Sequence, residues 1–309
     1  MKILVIGGGL FGQEHLQTLR SIGGIDLAVA ERREAERDRL RDQLALDDAD
    51  ADPLLLIGRF QPDGIIVATP AAAHAPLAVA ALERGIPVLV EKPVTADVAS
   101  LRRLCDAAAR SHAFLQPGHI LRFSAPHRQL LQVLQSGELG ELLYVRSRRY
   151  RDASHATRYP DIDPVLMSLV HDIDLALWFD GGSAVSAKAT RRPQCGPRSL
   201  TSAEVQSSTG AVWQLATAWL HPGPDCPPDR VELIGTGGSA ELELGSGIDI
   251  HAETRRSIPV DATDDPLRAE LYCFLSGIRA GASEAPVSLR DALDGLVAAE
   301  MIIRALDPP

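Results

Sequence analysis

The stretch that most constrains this chain is its beginning, where a compact apolar run, residues 2–6 (KILVI), leads into Gly7, Gly9 and Gly12. A run without polar alternation predicts a strand buried on both faces. Residues 13–21 carry helical patterning, so the glycines sit in a strand-to-helix turn. In such a turn Gly7 permits the tight bend, Gly9 lets backbone approach a pyrophosphate, and Gly12 lets helix and strand pack closely. The helix start adds unpaired N–H groups and partial positive charge, and Leu10 and Phe11 lie in the same turn. A second apolar run, residues 26–30 (DLAVA), is closed by Glu31, about 20 residues beyond Gly12. A carboxylate there can accept hydrogen bonds from ribose hydroxyls. We therefore expect a dinucleotide site built on Gly7, Gly9, Leu10, Phe11, Gly12 and Glu31. Two plainer alternatives stay open: the glycines form only a turn, and Glu31 is a solvated carboxylate opening a charged helix. Glu31 repels a 2′-phosphate and favours NAD(H). Arg32 and Arg33 follow directly, and guanidinium groups suit such a phosphate, so NADP(H) remains possible.

The pattern continues with a charged helix at 32–48, a strand at 64–68, a helix at 76–84, a strand at 87–90 and a helix at 95–111. Unalternating strands separated by helices predict a doubly wound parallel sheet, an α/β fold of Rossmann type, over residues 1–120. The grammar then changes. A helix at 126–136, a strand at 142–151 and an apolar helix at 165–179 precede strand-like runs at 184–190, 203–209, 211–220, 230–235, 240–244 and 248–251. Some are separated by Gly-containing turns, which suggests an antiparallel meander. Helices at 266–280 and 289–306 close the chain. We expect residues 121–309 to form a second α/β domain with a large, mainly antiparallel sheet, and 309 residues suit two domains.

Composition enters as exclusion. Asp and Glu number 41 against 31 Lys and Arg, a net charge of −10, which argues against a broad grip on nucleic acid. No run approaches the ~20 apolar residues of a membrane span, and we expect no secretory signal at the start, where the apolar stretch runs straight into glycines. The four cysteines form no CxxC pair, so we expect neither zinc nor a disulfide framework, and a reducing cytoplasm.

Further motifs follow. Thr69-Pro70-x-x-x-His74 closes the strand at 64–68, and Glu91-Lys92-Pro93 closes the one at 87–90. Downstream lie Arg122-Phe123, the GELGE turn at 137–141, His171-Asp172-Ile173-Asp174, and GTGGSAELEL at 235–244. Together with the glycines these resemble the Gfo/Idh/MocA family, named for glucose–fructose oxidoreductase and inositol dehydrogenase, over nearly the whole chain. The resemblance implies an N-terminal Rossmann domain, a C-terminal substrate-binding and oligomerising domain, and a nicotinamide at their junction. It implies a catalytic lysine at Lys92, an acid–base histidine at His171, and a homodimer or homotetramer through the C-terminal sheet.

The chemistry agrees with those types. Moving a hydride from an alcohol requires loss of a proton, and an imidazole of ordinary pKa about 6.5 can take it. An ammonium can stabilise negative charge developing on the same oxygen. We expect Lys92 and His171 as catalytic residues, with Lys92, His171, Arg122 and Asp174 binding substrate. Thr69, Pro70, His74, Glu91, Lys92 and Arg32 join the cofactor set. His74 either lines the cofactor cleft or caps the next helix. The sequence departs from the family pattern at Met167, where many members carry an Asp one turn before the histidine. Met can neither accept a strong hydrogen bond nor carry charge. Ser168 and Asp174 share a helical face with His171 and are the available substitutes, whereas Asp172 points away. His119, Arg149, His155 and Tyr159 are weaker cleft candidates. Trp213 and Trp219 share one strand face and suit core packing or a subunit interface. The expected activity is NAD(P)-dependent oxidation or reduction of a polyol, sugar or related small metabolite. Met167 keeps two others in view: nicotinamide-retaining hydrolysis or elimination, and a non-catalytic dinucleotide-binding protein.

Overall fold

Apolar runs without alternation do become strands covered on both faces. The computed structural model describes residues 1–306 apart from 195, 197 and 262. It divides into two units: Met1–Ile120 with Asp265–Leu293, and Leu121–Asp264 with Asp294 onward. Among the described residues, no helix is long and apolar enough to cross a membrane.

The first unit holds β1 (Lys2–Ile6), β2 (Asp26–Ala30), β3 (Asp48–Asp50), β4 (Gly64–Val67), β5 (Val88–Glu91) and β6 (Leu115–Gly118) in the order β3-β2-β1-β4-β5-β6. Every neighbouring pair is parallel. This order reverses at β1, and all strands end at the same edge, where open α/β sheets bind ligands. One face packs Ile3, Val5, Leu27, Val29, Ile66 and Leu89 against Leu16 and Leu19 of the helix Leu10–Ile22. Leu267, Leu271, Phe274 and Leu275 join that cluster from the helix Pro266–Ala280. This corrects the expected second domain of 121–309: its residues 265–293 return to the first unit. The cause is the apolar stripe of that helix, which fills a sheet face the first 120 residues leave partly uncovered.

Two more expectations are corrected here. The helix expected at 32–48 ends at Leu44, with Ala45 left-handed at φ 47°. The acidic stretch beyond it forms β3, whose Asp48, Ala49 and Asp50 pair with Ala28, Val29 and Ala30. Arg59 permits this by bonding Asp48 through Nε and Nη2, both at 2.7 Å, and Asp50 at 3.1 Å. An edge strand can afford such polarity because water solvates its free side. The strand β6 was not expected either. Its Leu-Gln-Pro-Gly sequence has little strand propensity, and Pro is tolerated only because this strand is an edge.

The second unit carries β7 (Leu142–Asp152), β8 (Ala184–Arg192), β9 (Leu200–Ser207), β10 (Val212–His221), β11 (Arg230–Gly235), β12 (Gly238–Glu243), β13 (Gly247–His251) and β14 (Arg255–Ile258). Their order is β14-β13-β12-β11-β7-β10-β9-β8. The meander holds from β8 to β10 and again from β11 to β14, each strand pairing antiparallel with the next in sequence. Between these runs β7 inserts, parallel to β10 and antiparallel to β11. That pairing is non-local, and no turn signal announces it. One face packs Val145, Val205, Trp213, Leu215, Val231, Leu233 and Leu242 against Leu130, Ile173, Leu177 and Ile302 of three helices. Trp213 and Trp219 are core residues: their indoles donate to Asp180 Oδ2 at 3.2 Å and to Ser168 Oγ at 2.9 Å.

Candidate functional site

Because β1, β2, β4 and β5 are parallel, the segments that leave them share one edge of the first sheet. The glycine turn follows β1, Glu31 follows β2, Thr69 follows β4, and Lys92 follows β5. A Cβ on Gly7, at φ +107°, would lie 2.5 Å from the Ala68 carbonyl oxygen, and one on Gly12 would lie 1.9 Å from that of Gly7. Those two glycines are required by close packing. Gly9 differs: a Cβ there would meet nothing within 4 Å, so its backbone faces open space. It caps the helix Leu10–Ile22, which has no side-chain cap, leaving its first N–H groups for another acceptor. Leu10 stands 57% exposed in this turn, while Phe11 sets its ring edge-on against His15, 5.3 Å between centroids.

Glu31 is buried and held from several sides. Gly8 N–H donates to Oε2 at 2.9 Å, and Arg33 gives its N–H and Nε to Oε1, each at 2.9 Å. Burial raises the carboxyl pKa, but these donors outweigh it and hold Glu31 below the usual range. The carboxylate therefore keeps its charge, as an acceptor for ribose hydroxyls must. Arg32 is exposed beside it. Thr69 Oγ1 is buried without a partner at the same edge, a donor and acceptor left for something else to use. Pro70 is exposed after it. Open backbone at Gly9, uncapped helix amides, a charged Glu31 and an orphaned hydroxyl fit a dinucleotide.

His74 does not cap the helix His74–Leu82, whose cap is Ala73. Its buried ring lies between two carbonyls, with Nε2 2.6 Å from Thr69 O and Nδ1 3.0 Å from Pro93 O. Burial pushes its pKa below the usual value, against the pull of those carbonyls. Glu91 is buried at the end of β5, with Oε1 2.8 Å from His15 Nε2 and Oε2 accepting the Lys92 N–H at 3.2 Å. Lys92 itself is half-buried.

In the second unit, His171 is the half-buried second residue of the helix Val170–Asp180. The expected continuous helix at 165–179 is corrected: Val165–Leu169 form a π-helical turn, in which the Val170 amide reaches back to the Val165 carbonyl. Such a turn takes an extra residue, so spacing rules for a regular helix do not carry across it. Ser168, one suggested substitute for the missing carboxylate, accepts the Trp219 Nε1–H at its Oγ instead. Asp174, the other, pairs with Arg122, which donates from Nε to both oxygens at 3.0 Å and from Nη2 to Oδ1 at 2.7 Å. The two expected substrate ligands are thus joined to each other and buried, as a carboxylate at such a depth needs a cation partner.

Asp172 turns away from that pair. It accepts from Ser147 Oγ and from Arg149 Nε at 3.1 Å, and Arg149 also bonds Asp229. This assigns Arg149 to a structural cluster. His155 and Tyr159 pack against Trp219, with centroids 5.8 and 6.5 Å away, and His119 is buried after β6. Sequence inspection passed over His15 and Glu270. His15 sits three residues beyond Gly12 on the inward face with Leu16 and Leu19, and Glu270 interrupts the apolar stripe of Leu267, Leu271 and Phe274. A polar residue at a core position was the available signal in both.

Comparison with known proteins places these features in context. Residues 1–119 match a family model described as an oxidoreductase family with an NAD-binding Rossmann fold. Residues 127–241 match the GFO/IDH/MocA C-terminal domain. The chain is 30% identical to inositol 2-dehydrogenase 4 of Saccharopolyspora erythraea, over 81% of this chain and 76% of that protein. Among solved structures it is similar to a UDP-N-acetylglucosamine 3-dehydrogenase from Acidithiobacillus ferrooxidans (TM-score 0.85, 25% identity, 99% and 98% of the two chains). The scyllo-inositol dehydrogenase of Lactobacillus casei, with bound NAD(H) and scyllo-inositol, shares the fold (TM-score 0.85, 21% identity, 99% and 97%).

Proposed function

This chain belongs to the GFO/IDH/MocA family of oxidoreductases, and from that membership we propose that it is a dehydrogenase or reductase using NAD(H) on a secondary hydroxyl or carbonyl carbon of a polyol of the inositol type. The observation that carries this is the gathering of the open Gly9 backbone, the charged Glu31, the orphaned Thr69 hydroxyl and Lys92 at one edge of one parallel sheet. The uncapped start of the helix Leu10–Ile22 would hold the pyrophosphate, and Glu31 the adenosine ribose. Bound nicotinamide supplies the hydride acceptor for oxidation and the hydride donor for reduction. Lys92 Nζ hydrogen-bonds the reacting oxygen and stabilises its negative charge. An imidazole nitrogen of His171 takes the hydroxyl proton in oxidation and returns it in reduction. Glu31 disfavours a 2′-phosphate, so NAD(H) is preferred over NADP(H). The proposal carries a cytoplasmic location, on the scattered cysteines of the sequence alone.

We also carry self-association through the second sheet as part of this proposal. Its outer face presents Lys188, Glu204, Gln214, Arg146, Glu232 and Glu241 in one cross-strand row of mixed sign, with Lys188 and Arg146 each opposite a glutamate.

The test follows reduced-nicotinamide absorbance over a panel of polyols, sugars and their oxidised forms, with both cofactors. Turnover with at least one polyol is expected, falling by about 10²–10⁴ in Lys92→Ala and in His171→Ala. Tight cofactor binding with no absorbance change on any substrate defeats the proposal, and product formed without net cofactor reduction points to the nicotinamide-retaining chemistry.

A further inference from the structure

Lys92 is gripped on both sides by side chains that belong to other elements of the first unit. Ahead of it, Glu91 spans two bonds: its Oε1 lies 2.8 Å from His15 Nε2, and its Oε2 accepts the Lys92 amide at 3.2 Å. Behind it, the Pro93 carbonyl lies 3.0 Å from His74 Nδ1, while His74 Nε2 faces the Thr69 carbonyl at 2.6 Å. His15 comes from the helix that follows the glycine turn, and His74 opens the helix that follows Thr69-Pro70. Both imidazoles are buried, and Phe11 of the glycine turn packs edge-on against His15.

A third buried carboxyl group belongs to the same unit. Glu270 is fully buried, and neither carboxyl oxygen has a partner. Burial first, and Glu91 second, raise its pKa well above the ordinary carboxylate value.

We propose that His15 and His74 are positioning residues for Lys92, His15 fixing Glu91 to the glycine-turn helix and His74, through an Nδ1–H to the Pro93 carbonyl, fixing Pro93 to the helix it opens. Lys92 lies between two anchored neighbours, and each anchor starts in a segment assigned to the dinucleotide. The placing of the amine is tied to the backbone that would cradle the cofactor. The catalytic meaning of that placing rests on the function proposed above; the positioning itself does not.

The chain has three lysines, Lys2, Lys92 and Lys188, so each can be followed separately. Reductive methylation of the full-length protein with ¹³C-formaldehyde gives dimethyl-lysine signals, and the Lys92 signal is the one lost in Lys92→Arg. In His15→Leu and in His74→Leu this signal is expected to move towards that of the exposed Lys188 and to narrow. In His15→Gln, which keeps an N–H donor for Glu91, it is expected to stay. In parallel, kcat should fall about tenfold or more in the leucine variants while the NADH dissociation constant stays within about threefold. If a leucine variant does not fold, His15→Asn and His74→Ser, polar but too short to span the same distances, replace it with the same expectation. An unmoved Lys92 signal in both variants overturns the proposal. So does a His15→Gln signal displaced as far as that of His15→Leu. If Lys92→Ala leaves turnover intact, the catalytic assignment falls, and the resonance still decides the positioning.

Discussion

Each unit buries a cluster of ionisable side chains beside one of the two residues assigned to the reaction, and the clusters follow opposite plans. In the second unit Asp172, next to His171, accepts from Ser147 and from Arg149 Nε and Nη2 at 3.1 and 3.2 Å. Arg149 also meets Asp229, which takes Arg151 at 2.7 and 2.9 Å. Every charge there faces an opposite one. In the first unit Glu91 meets His15, but both oxygens of Glu270, Oε1 of Gln116 and Nδ1 of His15 are buried without partners. A fully paired cluster holds one shape. A half-paired one answers to protonation, because a low-dielectric interior magnifies each unmet charge.

The largest expected effect lies in the paired cluster. Arg149→Met removes the guanidinium that bridges two buried carboxylates while keeping much of its volume. Stability should fall by about 3–5 kcal/mol, the usual cost of leaving a buried charge without its partner. Trp178, Trp213 and Trp219 all belong to the second unit, so intrinsic fluorescence in a urea titration follows that unit. A loss below about 1 kcal/mol would break the contrast between the two plans, since a cluster so easily emptied of charge cannot be what fixes the shape.

Protonation should separate the clusters by sign. Burial, then the neighbouring Arg149, lowers the His127 pKa from 6.5 to about 3. The unfolded chain binds that proton more readily, so stability is full above 6.5 and is lost as pH falls towards 3. Glu270 behaves oppositely. Its pKa is raised well above 4.5 by burial and then by Glu91, so the folded state holds the proton and stability is lost as pH rises above 4.5. Each slope is bounded by about 1.4 kcal/mol per pH unit. His127→Gln should flatten the acid side of the stability profile below pH 6. Glu270→Gln should gain on the parent protein between pH 5 and 8, measured by urea midpoints in far-UV circular dichroism. Parallel profiles for Glu270→Gln and the parent over that range would show that Glu270 is already ionised.

The same contrast separates what could be seen in the sequence from what could not. The glycine turn, Glu31 and the strand ends bearing Thr69 and Lys92 were legible because each is a local signal, a run and its punctuation. The return of residues 265–293 to the first unit was not, since an apolar stripe says that it will be buried but not against what. The insertion of β7 between β10 and β11 is likewise non-local. Face arguments around His171 assumed a regular helix, and the π-helical turn at Val165–Leu169 removes that assumption. Arg122 and Asp174 were expected to bind substrate, and their separation of 52 residues hid that they pair with each other.

The smallest expected effect on stability comes from a third arginine–carboxylate pair. Arg33 bonds Glu31 at 2.9 Å through Nε, close to the distances Arg149 makes, but its side chain is 66% exposed where that of Arg149 is 6%. Solvent screens the attraction and the long side chain loses freedom on pairing, so Arg33→Ala should cost no more than about 1 kcal/mol. Its effect on ligands should be clearer. With Arg33 engaged, the guanidinium is occupied by Glu31 and faces a 2′-phosphate only after releasing it. Arg33→Ala should therefore leave NADH affinity within about threefold and weaken the already poorer binding of NADPH, whereas Glu31→Ala should weaken NADH by about tenfold and free Arg33 for NADPH. Fluorescence titration of the two reduced cofactors against each variant measures both ratios. Tighter NADPH than NADH binding in the unaltered protein would mean that the pair opens readily, that Glu31 does not select the cofactor, and that exposure alone does not predict which arginine pairs are spent on structure.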